Sequence, residues 1–157
     1  MQGDVETRLK ELGIELPEAR EPKVAKILGS NIAGNILYIS GQVPQWNGEI
    51  PYVGKVGQEF DVKQGQEAAY LCGLNIIAHA KQALNGDLER IEKVVKIRGY
   101  VNSTPDLHEV ASVVNGVSEL FINVFGERGY HARTVAGVNV MPFNVAIEVD
   151  ADFFIRT

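Results

Sequence analysis

The chain has 157 residues and a mass of 17.2 kDa, a length at which folding buries about 68–70% of the unfolded surface, so one domain is expected and a second would be crowded. Hydrophobic residues at 45% and charged ones at 22% exclude a disordered or fibrous chain. A net charge of −5 and the lack of a Lys/Arg cluster weigh against nucleic acid as a partner, because phosphate surfaces need several positive charges close together.

The start, MQGDVETRLKELG, has neither the basic n-region nor the apolar h-region of a signal peptide. No apolar run approaches the roughly 20 residues that span a bilayer. A cytoplasmic protein with no membrane partner is expected. Val5 to Leu12 reads as a short helix ending at Gly13, and the proline-bearing connector IELPEAREPK follows. Residues 1–23 therefore form an N-terminal extension, and residues 24–157 a single domain.

Val24 to Ile27 and Asn35 to Gln42 are rich in β-branched and aromatic residues, which predicts two strands with a turn near Asn31 to Gly34. The long polar loop PQWNGEIPYVGKVG has the length of a functional rim, but lacks the strand-to-helix placement of a phosphate loop. Asp61, three residues before Gln64, has the spacing of a capping box and starts the first long helix. Ala69, Cys72, Ile76, Ile77, Ala80 and Leu84 mark its buried face, and Asn85-Gly86-Asp87 stops it. Cys72, the only cysteine, excludes an internal disulfide and a cysteine zinc cluster, and its apolar neighbours make it a core side chain.

Lys93 to Val101 reads as a strand. Thr104-Pro105 has the cap and first-position proline of a helix start, and Val110, Val113, Val114, Val117, Leu120, Phe121, Val124 and Phe125 give that helix a regular apolar stripe, closed by Gly126. Ala132 to Val140 and Val145 to Phe154 read as the last two strands. The order ββ-α-β-α-ββ predicts an α+β fold with two helices packed on one face of a mixed sheet. Large apolar residues on both faces of the strands predict that self-association covers the other face.

Arg133 opens a strand otherwise made of small and β-branched residues. If Met141-Pro142-Phe143-Asn144 forms a type I turn, Val140 pairs with Val145, Glu148 faces Gly137, and Arg133 and Glu148 share a face of one hairpin. Taken singly, each would be an ordinary surface charge. Of the histidines, His79 has no second ligand at helical spacing and His108 lies in an exposed first turn. His131, two residues before Arg133, either shapes the rim of a site or is a surface histidine at a strand start.

Four segments in order, ISGQVP, VVNGVSELFINVFG, ARTVAGVNVMP and IEVDADFF, resemble the reactive intermediate deaminase family, also called YjgF or L-PSP proteins, from about Gly34 to the C-terminus. The resemblance implies a chorismate-mutase-like fold and a homotrimer with a barrel-like centre and clefts between subunits. It implies hydrolysis of small 2-imino or 2-enamino acids to 2-keto acids and ammonia, without metal or organic cofactor. Arg133 would hold the substrate carboxylate and Glu148 would position or activate water, with Asn115, Ser40 and Gly41 at the substrate. The residue types suit these tasks: a guanidinium grips a carboxylate with two parallel hydrogen bonds, and a carboxylate within reach of water serves as general base. Where the deaminase branch has Gly-Pro-Tyr, this chain has Lys23-Val24-Ala25-Lys26, and Tyr38, Trp46 or Tyr52 could fill the space. Val135 stands where many members have cysteine. The N-terminal extension and GYHAR look more like a side branch of unsettled function. Two rival readings are a non-catalytic binder or regulatory protein for small carboxylates with the same cleft, and the ribonuclease of the L-PSP name.

Overall fold

The computed structural model describes residues 4–23 and 26–157. Three helices, α1 (Asp4–Glu11), α2 (Val62–Ala83) and α3 (Val110–Phe125), accompany five strands, β1 (Ser30–Ala33), β2 (Ile36–Gln42), β3 (Ile91–Asn102), β4 (Ala132–Val138) and β5 (Ile147–Ile155). The expected α+β arrangement forms, with α2 and α3 on one face of a mixed sheet. No described helix is long and apolar enough to cross a membrane.

Local signals account for most element ends. Asp61 accepts from the Gln64 amide at 2.8 Å while Gln64 Oε1 accepts from the Asp61 amide at 2.9 Å, the reciprocal cap expected of α2. Gly126, with φ +65°, closes α3 in a backbone region that side chains with a Cβ disfavour. Two expectations need correction. Of the strand expected at Val24 to Ile27, Val24 and Ala25 lie outside the described residues and Ile27 is not in a strand. The first strand is Ser30–Ala33, built largely on residues read as a turn. It is joined to β2 by Gly34-Asn35, where Gly34 supplies a positive φ. Thr104-Pro105 does not start α3, because the Thr104 amide donates to Val56 O at 3.1 Å. Its Oγ1 is also packed over Gly57, where an added Cβ would come within 2.3 Å. The helix starts at Val110 after an uncapped turn.

The larger correction concerns the last two strands. The sheet order is β1-β2-β5-β3-β4, with β5 antiparallel to both β2 and β3 and β4 parallel to β3. The β4–β5 hairpin does not exist. The chain leaves β4, steps over the end of β3 and returns on its other side. Buried Asn102, the last residue of β3, anchors this step: its backbone amide donates to Ala146 O at 2.9 Å, and its side-chain amide to Val145 O and Asn144 Oδ1, each at 3.0 Å. Alternating hydrophobicity reports which face a residue occupies and not which strand lies beside it.

Every second residue of β5, namely Ile147, Val149, Ala151, Phe153 and Ile155, is fully or almost fully buried beneath the helices. The short α1 adds Val5 and Leu9 to the same core, against α3. The opposite face is open in the single chain and mixes aromatic with charged groups. Tyr38 and Phe154 are exposed there, and Arg98 pairs with Asp150 at 2.6 Å and Asp152 at 2.8 Å.

Gly116 sets the approach of α3 to α2, since a Cβ there would lie 2.1 Å from the backbone oxygen of Gln66. Rigid backbone offers no escape of the kind a flexible side chain gives. Gly116→Ala should therefore lower the unfolding free energy by about 1–3 kcal/mol, although alanine is the better helix former. Denaturant unfolding measures this, and an unchanged or raised midpoint would contradict so close a helix contact.

Candidate functional site

The five residues singled out from the sequence fall into two groups. Arg133 and Asn115 form the first. Strand β4 is an edge strand, and Arg133 at its start lies on the helix-covered face, where its register partner is Ile97. Its Nη1 donates to Asn115 Oδ1 at 2.8 Å and to Ser118 Oγ at 3.1 Å. Asn115 and Ser118 are three apart on α3, hence on one side of the helix. Both bonds fall on one nitrogen, which leaves the other guanidinium edges available to a planar anion.

Behind this anchor runs a chain of hydrogen bonds whose direction is determined. Gly129 O can only accept, so His131 Nδ1, 2.6 Å away, must carry the proton and donate to it. In the neutral ring Nε2 then accepts from Ser118 Oγ at 2.9 Å, and Ser118 Oγ accepts in turn from Arg133. Burial lowers the pKa of His131 below its ordinary 6.5, outweighing the bond to Gly129, and the Arg133 charge lowers it further, so the neutral form is favoured. His131 also stands edge-on to Phe121. It is a half-buried brace behind the arginine and not a surface residue.

The second group is Glu148 with Gly41 and Ser40. Tyr100 pairs with both Glu148 and Ala136, whereas Ile97 pairs with both Arg133 and Ala151. The three-residue offset puts Glu148 and Arg133 on opposite faces. Two strand spacings and three residues of rise separate their Cα atoms by about 14 Å. The expected pairing on one face is therefore wrong within a single chain, for the same reason that the hairpin is. Glu148 instead lies over the β2 bulge at Gly41, where any Cβ would come within 2.5 Å of its Oε2. Burial first, and the neighbouring Asp150 charge second, raise its pKa above the ordinary 4.5. Ser40 lies beside it with its hydroxyl donating to Leu28 O at 2.6 Å, which ties β2 to the connector.

Glu148 and Gly41 line a cleft of about 490 Å³ whose walls include Ile27, Ile50 and Phe143. Of the aromatic residues proposed to replace the family tyrosine, Tyr52 meets Phe60 edge-on and Trp46 packs against the core. Tyr38 borders a separate depression of about 300 Å³ with Arg98, Asp150 and Asp152. Phe143 was missed because it sits in what reads as a plain turn. Ser118 was legible as the residue one turn on from Asn115. No group of three or more His, Cys, Asp or Glu side chains that could hold a metal occurs among the described residues.

His131 and the buried His79 are both held below 6.5 chiefly by burial. The unfolded chain therefore takes up protons first as pH falls through 6.5, and the folded state loses stability until the lowered values are passed. Stability should fall on acidification below 6.5, and His131→Gln should remove part of that slope. Denaturant midpoints against pH measure both. Glu148, with its raised pKa, acts in the opposite sense at lower pH, where the folded state takes up the proton first, so a wild-type profile that is flat or rises in the descent just below 6.5 would contradict the neutral assignment.

Residues 6–152 match the family model described as "YjgF/chorismate_mutase-like, putative endoribonuclease". Protein TCP17 of Trypanosoma cruzi is 41% identical over 150 residues, covering 95% of this chain and 92% of that one. The structure of Atu1372 from Agrobacterium tumefaciens, a protein of unknown function, is 45% identical with a TM-score of 0.90 over 98% of this chain and 94% of that one. A Shewanella oneidensis protein carrying the same endoribonuclease description is 33% identical with a TM-score of 0.93, covering 98% of this chain and all of that one. The chain belongs to the YjgF/chorismate mutase-like family.

Proposed function

We propose that the protein hydrolyses reactive 2-imino acids to 2-keto acids and ammonia, in clefts that two copies of the chain build together. The observation that carries this reading is the division of the site. A braced carboxylate anchor, Arg133 with Asn115, lies at one sheet edge. A half-buried carboxylate with a raised pKa, Glu148, lies on the opposite face. Neither half suffices alone, and a head-to-tail ring such as a homotrimer brings the edge of one copy to the open face of the next.

In such a cleft Arg133 holds the substrate carboxylate, and Glu148 of the adjoining copy removes a proton from water as the water oxygen bonds to C2. The C2–N double bond becomes single in that step. With the imine nitrogen protonated at the outset, the resulting carbinolamine is neutral; Glu148 passes the captured proton to its nitrogen, the freed carboxylate takes the hydroxyl proton as the C2–O double bond forms and the C2–N bond breaks, and ammonia leaves with a 2-keto acid, carrying off the proton from Glu148 as ammonium. An arginine is a poor proton donor, so its part is to bind and orient. RNA is not the substrate on this reading, because the net charge is −5 and phosphate binding draws on clustered cations. The second reading, a carboxylate binder without turnover, is favoured by one fact: the anchor around Arg133 is already complete without Glu148.

The test is to generate 2-aminoacrylate in situ and follow pyruvate release. Arg133→Ala should cost about 10²-fold in kcat/KM, the value of a lost charge-assisted contact. Equal rates for variant and wild type would remove the proposal, and pyruvate binding without turnover would select the binder. Glu148 must be ionised to act, so the rate should fall on acidification with a midpoint above 4.5, and Asp150→Asn should move that midpoint lower by removing a like charge. A midpoint that Asp150→Asn leaves in place would contradict Glu148 as the base.

A further inference from the structure

The cleft over Glu148 is larger and more apolar than a three-carbon substrate needs. Its volume is about 490 Å³, and Ile27, Val43, Ile50, Pro142 and Phe143 share its lining with Glu148. Such a volume falls in the range of pockets that enclose whole organic ligands. Its polar lining comes from Arg20, Glu21 and Lys23 of the connector, from Gln42 and Gln45, and from Glu148.

Phe143 is the most informative wall. The residue is 69% exposed, so packing within the chain does not explain its place. Its backbone has φ +58° and ψ 13°, and Asn144 follows with φ +56°. Two successive non-glycine residues in the left-handed region are costly and persist only where the surroundings impose them. Here they are imposed: the Asn144 amide donates to Met141 O at 3.0 Å, Asn144 O accepts from Gly54 at 2.7 Å, and Asn144 Oδ1 accepts from the buried Asn102 at 3.0 Å. Gln45 and Gly48, which share the lining, are also braced. Asn75, buried in α2, donates to Gln45 O at 2.8 Å, and Gln45 Oε1 accepts from the Gly48 amide at 2.8 Å. An aromatic residue thus lines the same cleft as a carboxylate, on a strained turn that the hydrogen bonds of Asn144 hold in place.

We infer that this cleft is the side-chain pocket of the substrate site, and that the protein prefers 2-imino and 2-keto acids with large apolar side chains, branched or aromatic, over the three-carbon compounds. The inference rests on the reading of Glu148 as the group that addresses C2. With the carboxylate of the ligand on Arg133 and water on Glu148, the remaining substituent of C2 extends from beside Glu148 into this apolar space. Each methylene buried there adds selectivity on the order of tenfold or more. Phe143 is then a specificity-determining residue.

The test uses the wild-type protein and Phe143→Gly, chosen because glycine adopts positive φ without strain and the turn is preserved while the ring is lost. Calorimetry with pyruvate, 4-methyl-2-oxopentanoate and phenylpyruvate reads binding, and keto acid release from the imines of alanine, leucine and phenylalanine, made in situ by an amino-acid oxidase, reads turnover. The larger compounds should bind at least about tenfold more tightly than pyruvate, and Phe143→Gly should reduce that ratio toward unity without lowering the thermal midpoint. If pyruvate binds as well as the larger acids, or if Phe143→Gly leaves the ratio intact, the pocket assignment is overturned while the carboxylate site stands. If no keto acid binds and none is released, the functional reading itself has failed and this inference falls with it.

Discussion

The architecture depends on one buried asparagine. Asn102 ends β3 with its backbone and side chain both committed to the segment that follows β4, and Lys55 Nζ donates to its Oδ1 at 2.8 Å from the other side. A buried amide left without partners costs about 1–3 kcal/mol, so the loop after Val138 is held where it satisfies Asn102. That position lies across the end of β3. The last strand is therefore laid down between β2 and β3 and not beside β4, and everything functional follows from the choice. Phe143 and Asn144 belong to the same loop, so the residue that routes the chain also shapes the mouth of the Glu148 cleft.

With β5 in the centre, the helix-facing residues of β2, β3 and β5 close one core with Val135 of β4 packed against it, and the residues between them make a second surface. Glu148, Asp150 and Asp152 alternate along that surface with Arg98 bridging the latter two. Pairing both aspartates to one guanidinium neutralises part of the acidic ladder. Among the described residues no cation pairs with Glu148, and a raised pKa is the consequence of burial beside Asp150. A carboxylate poised in this way suits proton transfer better than ion pairing. At the far edge, His131 and Ser118 do the complementary work of directing Arg133 by hydrogen bonds of one sense.

Much of this was legible in the residues themselves. The capping box at Asp61 and Gln64, the stripe on α3 and the closing Gly126 act through neighbours in sequence, so local pattern predicts them. Arg133 and Asn115 were both marked, and they touch. What could not be read was strand adjacency. The IEVDADFF alternation gives the same faces whether β5 lies beside β4 or beyond β3, and the short Met141 to Asn144 segment looks like a hairpin turn until the long-range bonds of Asn102 are seen. Phe143 and the brace formed by His131 escaped for a related reason: their significance comes from partners on other elements, not from their own neighbours.

The proposed function turns on the meeting of Arg133 and Glu148 across two copies of the chain. It is tested most directly by complementation. Arg133→Ala and Glu148→Gln proteins, each slowed in keto acid release by about 10²-fold, are co-expressed or mixed after reversible dissociation and assayed together. Random assembly of a closed head-to-tail ring pairs an intact arginine with an intact glutamate at about a quarter of the interfaces, so the mixture should recover roughly that share of wild-type activity. A mixture as slow as its components, under conditions where exchange of subunits is demonstrated, would contradict a site shared between copies.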